Sequence, residues 1–399
     1  MMRESQFMRA VGRPKKKETL PAVVEAATKA PFPARLRRPS AQKARGPLPH
    51  TGLKNLGNTC FMNATLQCLF GCAEFCSGFV ERQYPLAAKS PAQGKIAMAF
   101  AELLGDIAQD KSIVSPASLR KSLTKIAPQF RGNGQHDSQE LLRCLLDGLA
   151  EDLKRPPPPS PITLPREEIT EIVEEAHCEA WRSYINANAS PVSDHFAGLL
   201  RSTVECCKCG FKSIRYDPYL DLSLPLPEQT KSNIRSPLSA KLQKGSTSCT
   251  LEKCLEQFTA TEDLTEKITC ERCKKPRKSK KSLSLQTWPR ILVLHVKRFS
   301  YTETRREKLD TLVTFPTEGL DLSAFASEDR RSIPAAYDLF ATTDHLGASG
   351  AGGHYVAHRK GPSGWRTFDD ATHAPTTAER LQGGAAYVLW YRRRDPPKT

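Results

Sequence analysis

One of the thirteen cysteines lies where a sulfur nucleophile could be generated. Cys60 follows the turn-forming residues Gly57, Asn58 and Thr59 and precedes the run FMNATLQCLF, which predicts that its sulfur lies at a helix N-terminus. The helix dipole and the free backbone amides there favour thiolate over thiol, and we expect a pKa below the reference value of about 8.5. The alternative is a buried cysteine at the start of a helix.

A histidine that could serve as the base follows a glycine-rich segment. The sequence HYVAHRKGPSGWRTFDD, from His354 to Asp370, predicts a β-hairpin around a Gly-Pro-Ser-Gly turn. A four-residue loop would place His354 opposite Asp369, and a three-residue loop would place it opposite Asp370. Either carboxylate would orient the imidazole and leave its other nitrogen to take the thiol proton. The alternatives are an ordinary surface histidine, and His358 as the base, because it faces the same side of the strand.

Four further cysteines form two C-x-x-C pairs. Cys206 and Cys209 lie in ECCKCGFKS, and Cys270 and Cys273 lie in TCERCKK, with 60 residues between the pairs. Each pair can supply two thiolates, and two pairs complete the tetrahedral site of a structural zinc ion. The long separation predicts a metal that joins the tips of two strand pairs. Redox-active dithiols are the alternative interpretation.

The elements that must position these residues change in type along the chain. Helical periodicity covers residues 61–75, 93–108 and 138–153. Alternating apolar residues predict strands at 291–299, 354–359, 365–369 and 386–391. Helices followed by strands predict an α+β fold, with a helical lobe that faces an antiparallel sheet and a functional site in the cleft between them. We interpret Cys68, Cys72 and Cys76, which would share one helix face, as small core residues. The same interpretation applies to Cys144.

Composition excludes several classes of protein. With 39% hydrophobic residues, the 399-residue chain can form a sizeable core. We expect no membrane span, because no apolar run approaches eighteen residues. We also expect no secretory signal, and therefore reduced thiols rather than a disulfide scaffold.

The basic charge of the chain is concentrated at its beginning. Residues 1–50 carry +9 of the net charge of +16 and are rich in proline and alanine. This composition predicts a disordered tail whose basic clusters serve as an address or contact a polyanion loosely. A solvated tail without function and an organellar transit segment are the alternatives. The proline run from Pro156 to Pro165 and the segment 229–248 are interpreted as a linker and a flexible insertion.

Several motifs in order resemble those of the ubiquitin-specific proteases, deubiquitinating enzymes with a papain-like core. GLKNLGNTCFMNATLQCLF is similar to their cysteine box, GNGQHDSQELL to the helix motif that follows, and ILVLHVKRF, GGHYVAH and WRTFDD to their histidine-box region. The resemblance covers about residues 51–393. It implies a catalytic domain over 51–395 that consists of a helical thumb (about 51–195), zinc-clipped fingers (about 196–290) and an antiparallel palm (about 291–395).

The resemblance also implies a role for each matching residue. It implies that Cys60 is the nucleophile, His354 the base and Asp369 the third member of the triad, with Asp370 as an auxiliary. Asn55 matches the position whose amide stabilises the oxyanion, a contribution that can be worth about 3 kcal/mol.

Two further residues match the family's binding positions. Asp137 and Gln139 match residues that line the channel for the C-terminal tail of ubiquitin, although Asp137 and Glu140 could instead be a helix-capping pair. The implied reaction is hydrolysis of the (iso)peptide bond after the C-terminal glycine of ubiquitin, through a thioester on Cys60. The implied partners are ubiquitin and ubiquitinated proteins. We expect a monomer without membrane contact, located in the nucleus, the cytoplasm or both.

Three rival hypotheses stay open at this point. The same fold could be an inactive ubiquitin-binding module, or the peptidase could act on a ubiquitin-like modifier. The chain could also be a zinc-dependent nucleic-acid binder recruited by its basic tail. That last hypothesis predicts salt-sensitive nucleic-acid binding that survives in residues 51–399.

Overall fold

The computed structural model describes residues 48–156, 173–227, 248–301, 306–349 and 352–395. Most of the predicted tail, the proline run beyond Pro156 and the predicted insertion up to residue 247 lie outside the described residues. Leu48 packs against the core and the His50 ring lies 6.2 Å from that of Phe368, so packing contacts begin before residue 51. Among the described residues, no helix has the length and apolarity that a membrane span requires.

Eight α-helices are present in the described part of the chain. They are α1 (Cys60–Phe70), α2 (Ala73–Val80), α3 (Lys95–Ile107), α4 (Ala117–Ile126), α5 (Ser138–Asp152), α6 (Val173–Asn188), α7 (Pro191–Phe196) and α8 (Leu251–Thr259). Helices α1 to α5 and α7 bury their apolar faces in one hydrophobic cluster and form a helical lobe. The helices predicted at 93–108 and 138–153 are confirmed as α3 and α5.

The helix predicted over 61–75 is wrong as a single element. It ends at Phe70, and Cys72 is the N-cap of the next helix. Gly71 lies against Phe340, and a Cβ there would approach that ring to 2.8 Å, so the chain packs closely where it changes direction. Cys68, Cys72 and Cys76 therefore do not share one helix face. All three are nevertheless buried, as predicted for core residues, whereas Cys144 is half-buried at the edge of the core.

A buried carboxylate fixes the arrangement of two thumb helices. Asp152, at the end of α5, is 0% exposed and accepts hydrogen bonds from the amides of Ile96 (2.9 Å) and Ala97 (3.0 Å) in the first turn of α3. It also accepts the amide of Gly94, which has a φ of +72°. Free amides at a helix start favour a negative charge, and each such cap is worth about 1 kcal/mol.

The described strands number twenty and form five sheets. The strands are β1 (Gly52–Leu53), β2 (Ile113–Val114), β3 (Gly198–Cys206), β4 (Lys212–Tyr219), β5 (Leu222–Pro225), β6 (Ser248–Thr250), β7 (Glu262–Asp263), β8 (Ile268–Cys270), β9 (Lys275–Arg277), β10 (Ser279–Thr287), β11 (Ile291–Lys297), β12 (Phe299–Tyr301), β13 (Arg306–Lys308), β14 (Leu312–Thr314), β15 (Leu320–Asp321), β16 (Ala336–Ser349), β17 (Gly352–Gly361), β18 (Gly364–Asp369), β19 (Thr372–Pro375) and β20 (Ala386–Arg393). The strands predicted from alternating apolar residues are confirmed, with ends shifted by a few residues.

A ten-stranded sheet forms the second lobe. Its main path runs β19-β18-β17-β16-β20-β11-β5, and the strands on this path pair antiparallel except β5 and β11, which are parallel. The predicted antiparallel sheet is therefore confirmed along this path, except at the parallel edge of β5 and β11. The physical reason is chain direction, because β5 follows β4 and β11 follows β10, so both strands enter the sheet from the same neighbouring four-stranded sheet.

Both faces of the ten-stranded sheet are covered. Along β11, Ile291 and Val293 belong to the cluster shared with the helical lobe, whereas Leu292 and Leu294 belong to a second cluster that contains α8. This double burial explains why β11 is almost continuously apolar.

The smaller sheet has the order β4-β3-β10-β7 and carries the first cysteine pair where β3 ends, whereas the second pair lies in the separate β8–β9 hairpin.

Candidate active site

The hairpin of β17 and β18 brings His354 and Asp369 together through a register that the sequence did not predict. Gly361 pairs with Gly364 and Ala357 with Phe368, so neither predicted loop length is correct. The turn is tighter because Gly364 adopts a φ of +100°, which glycine tolerates. Asp369 pairs with Thr372 at the turn into β19, and its Oδ1 lies 2.6 Å from His354 Nε2. This contact leaves Nδ1 of the imidazole available.

Cys60 is the first residue of α1 and is only 3% exposed. Burial raises the pKa of its thiol above the usual value, and the nearby Asp370 carboxylate raises it further. Backbone amides of Tyr355, Phe61 and Cys60 itself oppose both effects without cancelling them. The prediction of a lowered pKa is therefore wrong for the free protein, because desolvation of the sulfur outweighs the favourable helix terminus.

The backbone places the sulfur close to the histidine. One of the three backbone amides that hydrogen-bond to the Cys60 sulfur belongs to Tyr355, the residue directly after His354. No hydrogen bond joins the thiol to the imidazole, although the structure describes both residues. The Cys60 sulfur thus lies near His354 without a hydrogen bond between the two side chains.

Asp370 holds the loop that precedes the cysteine. Its carboxylate accepts hydrogen bonds from the side-chain amides of Asn55 and Asn63, both at 2.7 Å. The side-chain oxygen of Asn55 accepts the amides of Gly57 (2.9 Å) and Thr59 (3.2 Å), so both ends of this side chain are fixed. One N–H of Asn55 stays available for a substrate oxygen. Sequence reasoning missed Asn63, whose signal is a polar residue one helical turn after Cys60 on a buried helix.

His358, the rival base, is engaged elsewhere. Its Nε2 lies 3.4 Å from the Asp344 carboxylate, and its Nδ1 lies 2.9 Å from the Thr367 hydroxyl. Its side chain is buried within the sheet. Another histidine, His345, lies under the Gly353 backbone, and burial together with Lys308 lowers its pKa to about 4. His345 is therefore neutral near pH 7 and does not add positive charge beside His354.

Asp137 and Gln139 lie at the start of α5 and face the sheet. Asp137 caps the helix by accepting the Gln139 amide at 2.7 Å, so the capping role considered for it is confirmed, and it also accepts a hydrogen bond from the Tyr387 hydroxyl. The Gln139 side chain donates to Asp221 at 2.8 Å, and Arg143 lies 3.6 Å from the same carboxylate. Acidic and aromatic side chains thus line the cleft on this side.

A second residue missed by sequence reasoning bridges the two lobes. The Gln135 side chain donates to the Gly353 carbonyl at 2.8 Å and accepts the Gly353 amide at 2.9 Å. This reciprocal pair ties the loop before α5 to the strand residue that precedes His354. An exposed glutamine in a polar loop carries no sequence signal for such a contact.

The two C-x-x-C pairs meet at the far end of the four-stranded sheet. The four sulfur atoms, those of Cys206, Cys209, Cys270 and Cys273, lie within 4.8 Å of one another. Cys209 and Cys270 are 3.6 Å apart, close to the edge of about 3.8 Å expected for tetrahedral zinc with Zn–S bonds near 2.3 Å. Cys207 is exposed and lies outside this set.

Both pairs adopt the same turn. The amide of Gly210 donates to the Cys206 carbonyl at 2.9 Å, and the amide of Lys274 donates to the Cys270 carbonyl at 2.8 Å. Both donors have positive φ, +68° and +52° respectively. The backbone amide of Cys273 donates to the Cys270 sulfur and lowers the pKa of that thiol to about 7. Thiolate donors in this arrangement fit a structural metal ion.

Comparison with known proteins identifies the fold. The solved structure of the SAGA DUB module, formed by a Ubp8 variant with Sgf11, Sus1 and Sgf73 and bound to monoubiquitin, contains a chain that aligns with a TM-score of 0.65 and 23% identity, covering 90% of this chain and 72% of that chain. A second structure of the module, bound to ubiquitin aldehyde, aligns with a TM-score of 0.63 and 23% identity, covering 92% and 72%. The helical lobe, the four-stranded sheet and the ten-stranded sheet are thus the thumb, fingers and palm of the ubiquitin-specific protease fold.

Sequence comparison assigns the family. The family model described as ubiquitin carboxyl-terminal hydrolase matches residues 51–391, so the chain belongs to that family. Ubiquitin carboxyl-terminal hydrolase 2 of Rattus norvegicus is 38% identical over 357 residues, covering 87% of this chain and 54% of that protein. Ubiquitin carboxyl-terminal hydrolase 3 of Homo sapiens is 36% identical over 361 residues, covering 86% and 67%. The chain thus spans little more than half the length of the first of these relatives.

Proposed function

We propose that this protein is a cysteine-type deubiquitinase that hydrolyses the (iso)peptide bond after the C-terminal glycine of ubiquitin. The observation that carries the proposal is the 2.6 Å contact between His354 and Asp369, beside a cysteine at a helix N-terminus. Family membership and the names of the relatives support ubiquitin as the substrate. A deubiquitinase would use all three of these side chains, whereas an inactive ubiquitin-binding module or a nucleic-acid binder would not.

The reaction follows from the geometry of the side chains. His354 Nδ1 takes the proton from Cys60 Sγ, and the sulfur attacks the carbonyl carbon of the terminal glycine. The amide of Asn55 donates to the oxyanion that forms. The C–N bond then breaks, and the imidazolium protonates the leaving amine. Water, deprotonated by the same imidazole, attacks the thioester and releases the ubiquitin carboxylate and the free thiol.

Asp369 and Asp370 have separate roles in this proposal. Asp369 binds Nε2, orients the ring and stabilises the imidazolium. Asp370 orients Asn55, together with Asn63, and does not contact the base in the hydrogen-bond network. Asp137 and Gln139 line the channel through which the basic tail of ubiquitin reaches the sulfur, and the carboxylates of Asp137 and Asp221 match its arginines in charge.

Zinc is the metal proposed for the cysteine cluster. Cys206, Cys209, Cys270 and Cys273 would hold it as thiolates, and it would supply structural stability rather than catalysis. The site lies at the tip of the fingers, where the short hairpin of β8 and β9 has few other contacts to hold it against β3. The monomeric state, the polyanion contact of the basic tail and a nuclear or cytoplasmic location are further proposals, which rest on the sequence.

The direct test is hydrolysis of a fluorogenic amide at the C-terminus of ubiquitin. We expect the full-length protein to release the fluorophore, Cys60→Ala to be inactive, and Cys207→Ala, which replaces an exposed cysteine, to match the unaltered protein. Equal rates for the unaltered protein and Cys60→Ala would contradict the proposal and favour a binding module. Faster hydrolysis of the matching amide of a ubiquitin-like modifier would assign a different substrate.

A further inference from the structure

We propose that a basic cavity beside the cysteine loop binds an acidic segment of the protein from which ubiquitin is removed, close to the modified lysine. The inference rests on the proposed function, because it concerns the leaving group of that reaction. The cavity has a volume of about 410 Å³, and the residues of its wall that matter here are Leu56, Arg120, Lys121, Arg131, Gly132 and Asn133. Three of these side chains are basic and none is acidic.

The positive charge of this cavity has no carboxylate partner. Residues 111–136 include five basic residues and no aspartate or glutamate. The guanidinium of Arg120 donates to the carbonyls of Leu56 and Gly132, and that of Arg131 donates to the Thr124 carbonyl at 3.0 Å. Within the described residues, neither guanidinium nor Lys121 forms a salt bridge. The cavity therefore presents uncompensated cations, and carboxylates are the complementary groups.

The position of the cavity follows from one continuous loop, which runs from Arg131 to the start of α5. At the C-terminal end of this loop, Asp137 and Gln139 contact Tyr387 and Asp221 across the proposed channel for the ubiquitin tail. The middle of the loop, at Gln135, is bonded to the residue that precedes His354.

The N-terminal end of the same loop forms the wall of the basic cavity through Arg131, Gly132 and Asn133. Along this loop, the contact to Gly353, the residue before His354, thus lies between the contacts at the proposed channel and the wall of the cavity. Since the ubiquitin tail ends at the Cys60 sulfur, a cavity beyond that point faces the group that leaves.

The cavity is also joined to the loop that carries the oxyanion donor. Arg120 bonds to the Leu56 carbonyl at 3.0 Å, and the Asn58 side chain donates to the Asn133 carbonyl at 2.7 Å. Asn55 directly precedes Leu56 in this loop. An acidic segment held by Lys121 and Arg131 would therefore be fixed relative to the reacting carbonyl, which raises kcat/KM for the lysine that it flanks.

The experiment compares two conjugates in which ubiquitin is linked by an isopeptide bond to the lysine of a short peptide. One peptide has aspartate and glutamate around the lysine, and the other has asparagine and glutamine. We expect the acidic conjugate to be cleaved with a kcat/KM about fivefold higher at low ionic strength, since a few exposed ion pairs contribute modestly. This advantage should shrink as salt is added.

A pocket variant and a matched control assign the effect. In Lys121→Gln with Arg131→Gln, the ratio of the two rates should fall towards one. The control, Lys89→Gln with Lys253→Gln, removes the same charge from exposed residues outside the cavity and should keep the ratio. Each rate is divided by that of the same variant on the fluorogenic ubiquitin amide, which carries no peptide, so that a general loss of activity is corrected.

The outcomes separate this inference from the function on which it depends. Equal cleavage of the two conjugates, or a preference that the pocket variant retains, would overturn the inference while the fluorogenic amide is still hydrolysed. The pocket variant could instead cleave diubiquitin more slowly while the ratio of the two conjugate rates stays unchanged. That result would assign the cavity to a second ubiquitin and would also overturn the inference. Failure to hydrolyse any ubiquitin substrate would remove the proposed function itself.

Discussion

The surroundings of the Cys60 sulfur favour the thiol over the thiolate. Cys60 is almost fully buried, and the nearest carboxylate, that of Asp370, disfavours a second negative charge. Three backbone amides that would stabilise the thiolate do not overcome these effects. In the proposed mechanism the free protein is a resting state, and proton transfer to His354 generates the nucleophile when substrate completes the cleft.

This state predicts the pH dependence of alkylation. Because burial raises the pKa of the Cys60 thiol above its usual value, its thiolate fraction, and hence its rate of reaction with iodoacetamide, should still be increasing well above neutral pH. Mass spectrometry of the peptide that contains Cys60 measures this rate separately from the other cysteines. Asp370→Asn removes a negative charge and should move the profile to lower pH. A rate that reaches its plateau below neutral pH would mean that a thiolate already exists in the free protein.

The choice between two histidines gives a second prediction. His354→Ala should lower kcat by about a thousandfold, the scale of a lost general base. His358→Ala should keep most of the activity but lower the melting temperature, because it leaves the Asp344 carboxylate buried without its partner. Steady-state hydrolysis and thermal unfolding of both variants provide the measurements. Loss of activity in the His358 variant alone would show that the base is misassigned.

Among the secondary-structure elements, two hairpin tips converge on the cluster of four cysteines. The β3–β4 hairpin and the β8–β9 hairpin each contribute two cysteines, and both turns have the same hydrogen bond and the same left-handed residue. The short β8–β9 hairpin could not form a stable unit by itself. A metal ion would supply the missing stability.

Removal of two ligands tests the metal site. Cys206→Ser together with Cys273→Ser should abolish zinc in the purified protein and make the fingers more susceptible to protease. Cys207→Ser, which replaces the exposed neighbour of Cys206, should leave the zinc content at one ion per chain. Elemental analysis and limited proteolysis measure the two effects. Full zinc content in the double variant would contradict the proposed ligand set.

The sequence predicted elements better than it predicted their register. Turn-forming residues before Cys60 and the alternation of β17 and β18 are local signals, and both elements form where predicted. The tight turn at Gly364 depends on a backbone conformation that no side chain reveals. The break at Gly71 and the parallel pairing of β5 with β11 depend on tertiary contacts. Asn63 and Gln135 gain their roles only through partners distant in sequence.

In the molecule as a whole, the cleft lies where the helical lobe packs against one face of the ten-stranded sheet. Helix α1 carries the cysteine and packs against the sheet that carries the histidine, within a single hydrophobic cluster. The thumb thus places the Cys60 sulfur, and the palm places His354 and Asp369. The distance from sulfur to base depends on how tightly α1 packs on β17, which links catalysis to core packing.

The proposed function is tested most directly by covalent labelling with ubiquitin that carries an electrophile in place of its C-terminal carboxylate. We expect one adduct per chain, mapped by mass spectrometry to Cys60 and absent from Cys60→Ala. We expect no adduct on Cys207, although that thiol is exposed and Cys60 is buried. A label that lands on any other cysteine, or no label with an intact and folded protein, would contradict the proposed function.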